Sequence, residues 1–424
     1  MVSLDTKITA AAWGGLSRTV LFPIFVAGAS LAPLPGLAAP NTITSFISFT
    51  GAPNGGRPSA ALTAGPPGLF FGVTANGGTD GFGTVFSFDG SSITSLASFG
   101  GTDGGVRPRA ELTAGGGGLF YGTTSAGGAN SAGAIFSFNS NTNTISTLAS
   151  FDGSNGANPT AALTAGSGGI FYGTTEEGGT HNGGTVFSFD SNNDTIASLA
   201  SFVGANGSTP SAALIEGTGG LFYGTTERGG THNSGTVFSF DSNSNTIASI
   251  VSFVGANGES PSAALTPGSA GLFYGTTRRG GSDNEGTVFS FDSNSNTITS
   301  LVSFNSDNGE SPSAALTPGS GGLFYGTTDQ GGANDFGSIF SFDSNSNTIT
   351  SLVSFDGANG ESTEAALTAG PADIFYGTTN LGGANNEGTL YTLQVPGPLP
   401  IFGAGMAFGW SRKLRRRIKA SRFG

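Results

Sequence analysis

The chain contains no cysteine, only two methionines and two tryptophans, and few charges, with Asp, Glu, Lys and Arg making up 10% of its 424 residues. Without cysteine there is no disulfide, no thiolate metal site and no lipidated anchor, and the redox compartment stays unread. Against these shortages stand 74 glycines and 35 phenylalanines. Glycine at more than twice its usual share, combined with one aromatic used over and over, is not a signature of disorder, because disordered chains are poor in aromatics. The glycines punctuate many tight turns of a repeated template.

The formal net charge of −12 is unevenly divided. Seven of the 15 basic residues lie in the last 13 positions, and Lys7 and Arg18 lie near the start. The region between holds six basic against 26 acidic residues, a balance of −20. A surface that acidic repels phosphate backbones, which excludes nucleic acid as a partner class. Cations, cationic surfaces and neutral sugars remain.

Both ends read as sorting segments rather than fold. Arg18 precedes an apolar run, 19–32, too short to span a bilayer comfortably. Small residues follow, and cleavage between Ala38 and Ala39 leaves Gly36 and Ala38 as the small pair before the cut. Pro23, Pro33 and Pro35 argue against an uncleaved anchor helix. Residues 1–38 are therefore expected to be a secretory signal peptide. At the other end, VPGPLP (395–400) leads into an apolar stretch, 401–410, and the basic run SRKLRRRIK (411–419). A proline hinge, a short apolar segment and a basic stop pause a chain in the inner membrane with the charges held inside.

Between the ends the chain repeats. Leu62, Leu112, Leu163, Leu214, Leu265, Leu316 and Leu367 open equivalent blocks, spaced 50 residues once and 51 five times. In the block 263–304, four strands are expected, at 263–265, 271–277 (GLFYGTT), 286–292 (GTVFSFD) and 298–304 (ITSLVSF). PGSAG, RRGGSDNEG and SNSNT between them are turn formers, and nothing has helical periodicity. Val288, Phe289 and Phe291 make both faces of the third strand apolar, as a sheet covered on both sides requires.

Four strands per repeat of this length predict an all-β, seven-bladed β-propeller spanning 39–394. An open solenoid is the rival, and the array's ends decide against it. An orphan segment, ITSFISF (43–49), matches the fourth strand of a block, and the last block stops at GTLYTL (388–393) without one. A ring closed by its N-terminal strand leaves no sheet edge unpaired, whereas a solenoid needs caps.

The blocks resemble kelch-type blades in Gly280-Gly281 after the second strand and Phe291-Asp292 ending the third. They are more closely similar to the bacterial GloVer tandem repeat, with its GLFYGTT…GG…GTVF signature across residues 42–394. That resemblance implies a fold and export but no reaction. The tail resembles the PEP-CTERM sorting signal in Val395, Pro396, Pro398, Leu399, Pro400, Gly403, Gly405, Arg412, Lys413, Arg415, Arg416 and Arg417, with Gly397 where that family has its glutamate. This implies a tail over 395–424, signal peptidase and an exosortase-type protease as processing partners, and transient inner-membrane contact. It further implies a destination at the cell surface or in the extracellular matrix of a Gram-negative bacterium.

Propeller geometry places the loops from second to third strand, and from fourth strand to the next blade, on one face. There the repeats drift, at Glu176-Glu177, Glu227-Arg228 and Arg278-Arg279, and in the interblade loops at Glu259, Glu310 and Glu361. Loops on a rigid frame are where binding resides, so these nine are the candidate binding residues. Glu176 and Glu177 invite a glycoside-cleaving reading, but no block carries its own acid, base and nucleophile. His181 and His232 occupy equivalent THN contexts without a third ligand, so no metal site is assigned. DSNSNT begins like a calcium loop but lacks the central Gly and terminal Glu, which favours turn chemistry and leaves no cofactor implied. The expectation is a non-enzymatic surface or matrix protein presenting an acidic loop face to an exopolysaccharide, a cation or a surface protein. The alternatives are a hydrolase or lyase acting on extracellular polysaccharide, and a purely structural spacer.

Overall fold

A computed structural model describes residues 41–100 and 105–395. The expected signal peptide with its Ala38–Ala39 cut, and the expected sorting tail from Pro396 onward, lie outside the described residues. Within them the chain is an all-β propeller of seven antiparallel blades.

The fourth blade shows the pattern. Its strands Ile215–Glu216, Leu221–Thr226, Thr236–Asp241 and Thr246–Ser252 pair in chain order from the axis outward. In the expected 263–304 block the first strand falls three residues later than 263–265, at Thr266–Pro267. The Ser-Ala-Ala stretch runs along the axial channel instead of pairing. The second blade departs from four strands by adding Val106–Pro108 beside Leu119–Ala126.

The core lies between blades, not within them. Phe238 in the third strand of blade four meets Phe202 from the end of blade three edge-on, at 4.9 Å between centroids. Tyr172 of blade three packs on Phe222 and Phe240 of blade four. The resulting cluster joins Val186 and Phe202 to Leu214, Phe222, Phe238 and Phe240. Seven such clusters occupy the seven interfaces. Each fully buried phenylalanine contributes roughly 1.5–3 kcal/mol. The second strand carries glycine because that ring crosses it: a Cβ on Gly224 would stand 2.6 Å from Phe238 Cζ. Gly229 is needed for a different reason, its φ of +83° at the tight turn over the Gly204 carbonyl.

Threonines tie the inner strands together. Thr164 Oγ1 donates to the Leu214 carbonyl at 2.6 Å, and equivalents recur around the ring except in blade four, where Ile215 has no hydroxyl. The hairpins opposite the variable loops are held by aspartate. Asp241 accepts from Asn243 N–H and Nδ2 and from the Ser244 hydroxyl, which keeps its carboxyl below its usual range. DSNSNT therefore acts as a turn whose acid bonds its own backbone.

The ring closes as the strand count requires. Thr42–Ser48 forms the outer strand of the last blade against Thr389–Gln394, with Thr42 opposite Gln394. Thr368 Oγ1 donates to the Leu62 carbonyl (2.9 Å), and Phe49, Leu62, Phe86, Phe88, Tyr376 and Leu390 fill the closing interface. Val395 is also buried in the last blade, so packing runs one residue past 394. Removing residues 41–49 is expected to lower the melting midpoint and broaden unfolding of the whole ring; an unchanged calorimetric transition would contradict closure. At the position of Phe238, blade seven carries Tyr391, whose hydroxyl is fully buried and has no hydrogen-bond partner. Tyr391→Phe should raise stability by about 1–3 kcal/mol in chemical denaturation.

Candidate binding site at the axial channel mouth

Each block enters the axis through the same short path. A residue in the left-handed region, Thr209 (φ 56°) or Ser260 (φ 53°) for example, precedes proline in six blades and Thr363 in the seventh, and the side chain after that faces the axis. In five blades that side chain is a small alcohol, Ser59, Thr160, Ser211, Ser262 or Ser313; in the other two it is Arg109 and Glu364. The hydroxyls of Ser59, Ser262 and Ser313 are buried without a hydrogen-bond partner.

Over this ring lean residues from the ends of the second strands. Glu176 accepts from Asn158 Nδ2 (2.6 Å) and Thr160 Oγ1 (2.8 Å), and Glu227 accepts from Ser211 Oγ (3.0 Å). Arg278 pairs with Asp329 at 3.5 Å, and Asp329 also accepts from Ser362 Oγ. Together they enclose a hollow of about 170 Å³ open to solvent. Burial raises the Glu176 carboxyl, and the Glu227 charge adds to this while Thr160 and Arg109 oppose it. Burial likewise raises Glu364, reinforced by Asp329 and opposed by Arg109 and Arg278. Deeper in the channel, where six blades have alanine, Glu111 stands at the wall. Burial pushes its carboxyl up to about 7, only partly offset by the Thr63 hydroxyl.

Of the nine expected binding residues, the structure brings together Glu176, Glu227 and Arg278. The other six are placed on the outer rim. Extended backbone alternates its side chains, so Glu177, Arg228 and Arg279 are exposed there. Their backbones bridge to the interblade loops, including Glu259 to Arg279, Glu310 to Gln330 and Glu361 to Leu381. That rim holds the three interblade glutamates away from the hollow. His181 and His232 are exposed, and among the described residues no group of three or more His, Asp or Glu is placed to hold a metal.

Sequence reasoning overlooked Arg109, Glu111, Glu364 and the ring hydroxyls. The signal was present: the repeated PSAAL becomes PRAEL in block two and TEAAL in block seven. Those positions read as scaffold because the central Ala and the Leu beside them recur in all seven blocks.

The Gloeobacter/Verrucomicrobia repeat profile matches residues 37–238 and 212–399. The chain belongs to that repeat family. No curated protein matches it at a significant level. Solved structures similar to this family member share its fold at low identity. One is the extracellular domain of a candidate one-component system from B. thetaiotaomicron, at TM-score 0.56, 13% identity and 83% coverage of this chain. The chain spans only 40% of that protein's length. An oligogalacturonate lyase solved with manganese gives TM-score 0.51 at 12% identity, covering 85% of this chain and 98% of that one.

Glu111 supplies a pH test. In the fold it stays neutral up to about pH 7, against an ordinary value of 4.5 when unfolded. Between those values the unfolded chain holds fewer protons, so stability falls as pH rises across that window. Glu111→Ala, the residue of the other six blades, should remove this carboxyl's share of the decline, leaving only that of Glu176 and Glu364, and stabilise the ring at pH 8 by on the order of 2 kcal/mol. Parallel denaturation of both proteins from pH 4 to 8 would measure it.

Proposed function

We propose that this chain is an exported, non-enzymatic propeller that binds a glycan at its axial mouth. The observation carrying the proposal is the unpartnered set of ring hydroxyls, Ser59, Ser262 and Ser313, beside charged side chains of both signs in one hollow. Buried hydroxyls without partners are costly alone and are satisfied by a ligand rich in hydroxyls. The scaffold repeats from blade to blade while this lining changes, which supports recognition of an asymmetric ligand. The leader ending at Ala38 and the PEP-CTERM-like tail support export, processing by signal peptidase and an exosortase-type protease, and residence at the cell surface or in the matrix.

One observation favours a second reading, an enzyme acting on extracellular polysaccharide: Glu176 and Glu364, both with raised carboxyls, each interact with Arg109. An oligogalacturonate lyase has a similar fold, which lends this reading support at the level of the fold alone.

The intact chain is expected to be retained on an immobilised exopolysaccharide or glycan array. Glu176→Gln and Glu364→Gln should each weaken retention about tenfold, since a charged hydrogen bond is worth about 1.5–3 kcal/mol. Their melting midpoints should be unchanged. Absence of retention on every glycan would sink the reading; progressive shortening of the glycan, stopped by either substitution, would replace it with the enzymatic one.

A further inference from the structure

All six basic residues of the repeats are arginine, in a region with 26 acidic residues. Three of them, Arg57, Arg107 and Arg109, line a single lobe of about 190 Å³ beside the axial mouth. The lobe exists because of one small side chain. Where blades three to six carry Glu176, Glu227, Arg278 and Asp329, blade one carries Ala75, which is buried and leaves the space above it open. Asn76, Asn380 and Glu364 complete its walls.

Among the described residues none of the three guanidiniums is in an ion pair. The one ion pair among the described residues is Arg278 with Asp329, and no described side chain hydrogen-bonds the guanidinium of Arg57, Arg107 or Arg109. All three are exposed and share the hollow with one carboxylate, Glu364, so the lobe carries an excess of positive charge that an entering anion would balance. Their backbones are also held in place. Arg57 and Arg107 adopt left-handed conformations, φ 55° and 59°, which cost non-glycine residues of order 1 kcal/mol. Arg57 N–H donates to the Glu387 carbonyl (2.8 Å), and the Arg57 carbonyl accepts from Ala75 N–H (3.2 Å). Arg107 N–H donates to the Phe82 carbonyl (3.3 Å), and its carbonyl accepts from Ser125 Oγ (3.1 Å). The equivalent residues of the other blades are Asn158, Thr209, Ser260, Ser311 and Ser362, all short. Only here does the strained position launch a cation.

We infer that this lobe is an anion subsite for the carboxylate of an acidic saccharide, such as a hexuronate unit. The inference deepens the glycan-binding reading and rests on it. A guanidinium fork matches a planar carboxylate with two parallel hydrogen bonds. Asn76, Asn380, Glu364 and Ser59 supply amide, carboxylate and hydroxyl partners for sugar hydroxyls around it. The acidic balance of the remaining surface disfavours densely sulfated or phosphorylated polymers and tolerates one carboxylate per sugar.

Calorimetric titration of the intact chain with a glucuronate trimer, its carboxyl-reduced neutral counterpart and a sulfated neutral trimer tests this. The glucuronate trimer should bind at least tenfold more tightly than either of the others, and 0.5 M NaCl should narrow that gap. Arg57→Ser combined with Arg107→Ser, which installs the residue that Ser260 and Ser311 already provide in the same backbone conformation, should erase the preference and leave neutral binding unchanged. Arg228→Ser on the outer rim should change nothing. Equal affinity for acidic and neutral trimers, tighter binding of the sulfated one, or a preference that survives the double substitution would overturn the carboxylate subsite while leaving glycan binding in place. Binding of no trimer, together with no retention on the glycan array, would remove both.

Discussion

The ring depends on phenylalanines that belong to no single blade. Phe238 sits in one sheet and completes the core of the interface with its neighbour through Phe202. Because each cluster needs both partners, a blade has little apolar core of its own. Stability is therefore a property of adjacency, and it becomes a property of the whole once the last interface is filled by Phe49, Leu62 and Tyr376. The glycine of the second strand, the threonine ties and the tight turns are consequences of bringing flat sheets close enough for those rings to meet.

Such a scaffold is constrained almost everywhere except near the axis. The third strand is buried on both faces, and its side chains change little from blade to blade. Around the channel each block contributes one inward residue and one loop end, and neither carries the interface. Change is tolerated there, and seven non-identical contributions build a surface with no symmetry. Arg109, Glu364 and Glu111 mark where blades two and seven depart from the alanines and small alcohols of the rest.

Most of the architecture was legible in the sequence because its causes are local and repeated. The aromatic-rich strands, the Asp-Asn turns and the surplus ITSFISF segment each announce themselves in residues, and the strand count led directly to closure. The expected 263–265 strand was misplaced because an apolar Ala-Ala-Leu run is compatible with pairing or with lining a narrow channel, and composition does not separate the two. The site was legible only in part. Glu176 could be recognised as variable, but whether it or Glu177 turns inward depends on which residue ends the strand. Arg109 and Glu111 required knowing that the conserved-looking PSAAL stretch borders open space.

The closing strand pair has a consequence for how the molecule is displayed. Thr42 lies opposite Gln394, so the described fold begins and ends at one spot. That spot is on the side of the aspartate hairpins, because the outer strand starts there and the third strand finishes there. Thr42 and Gln394 therefore both lie on the face opposite the axial mouth.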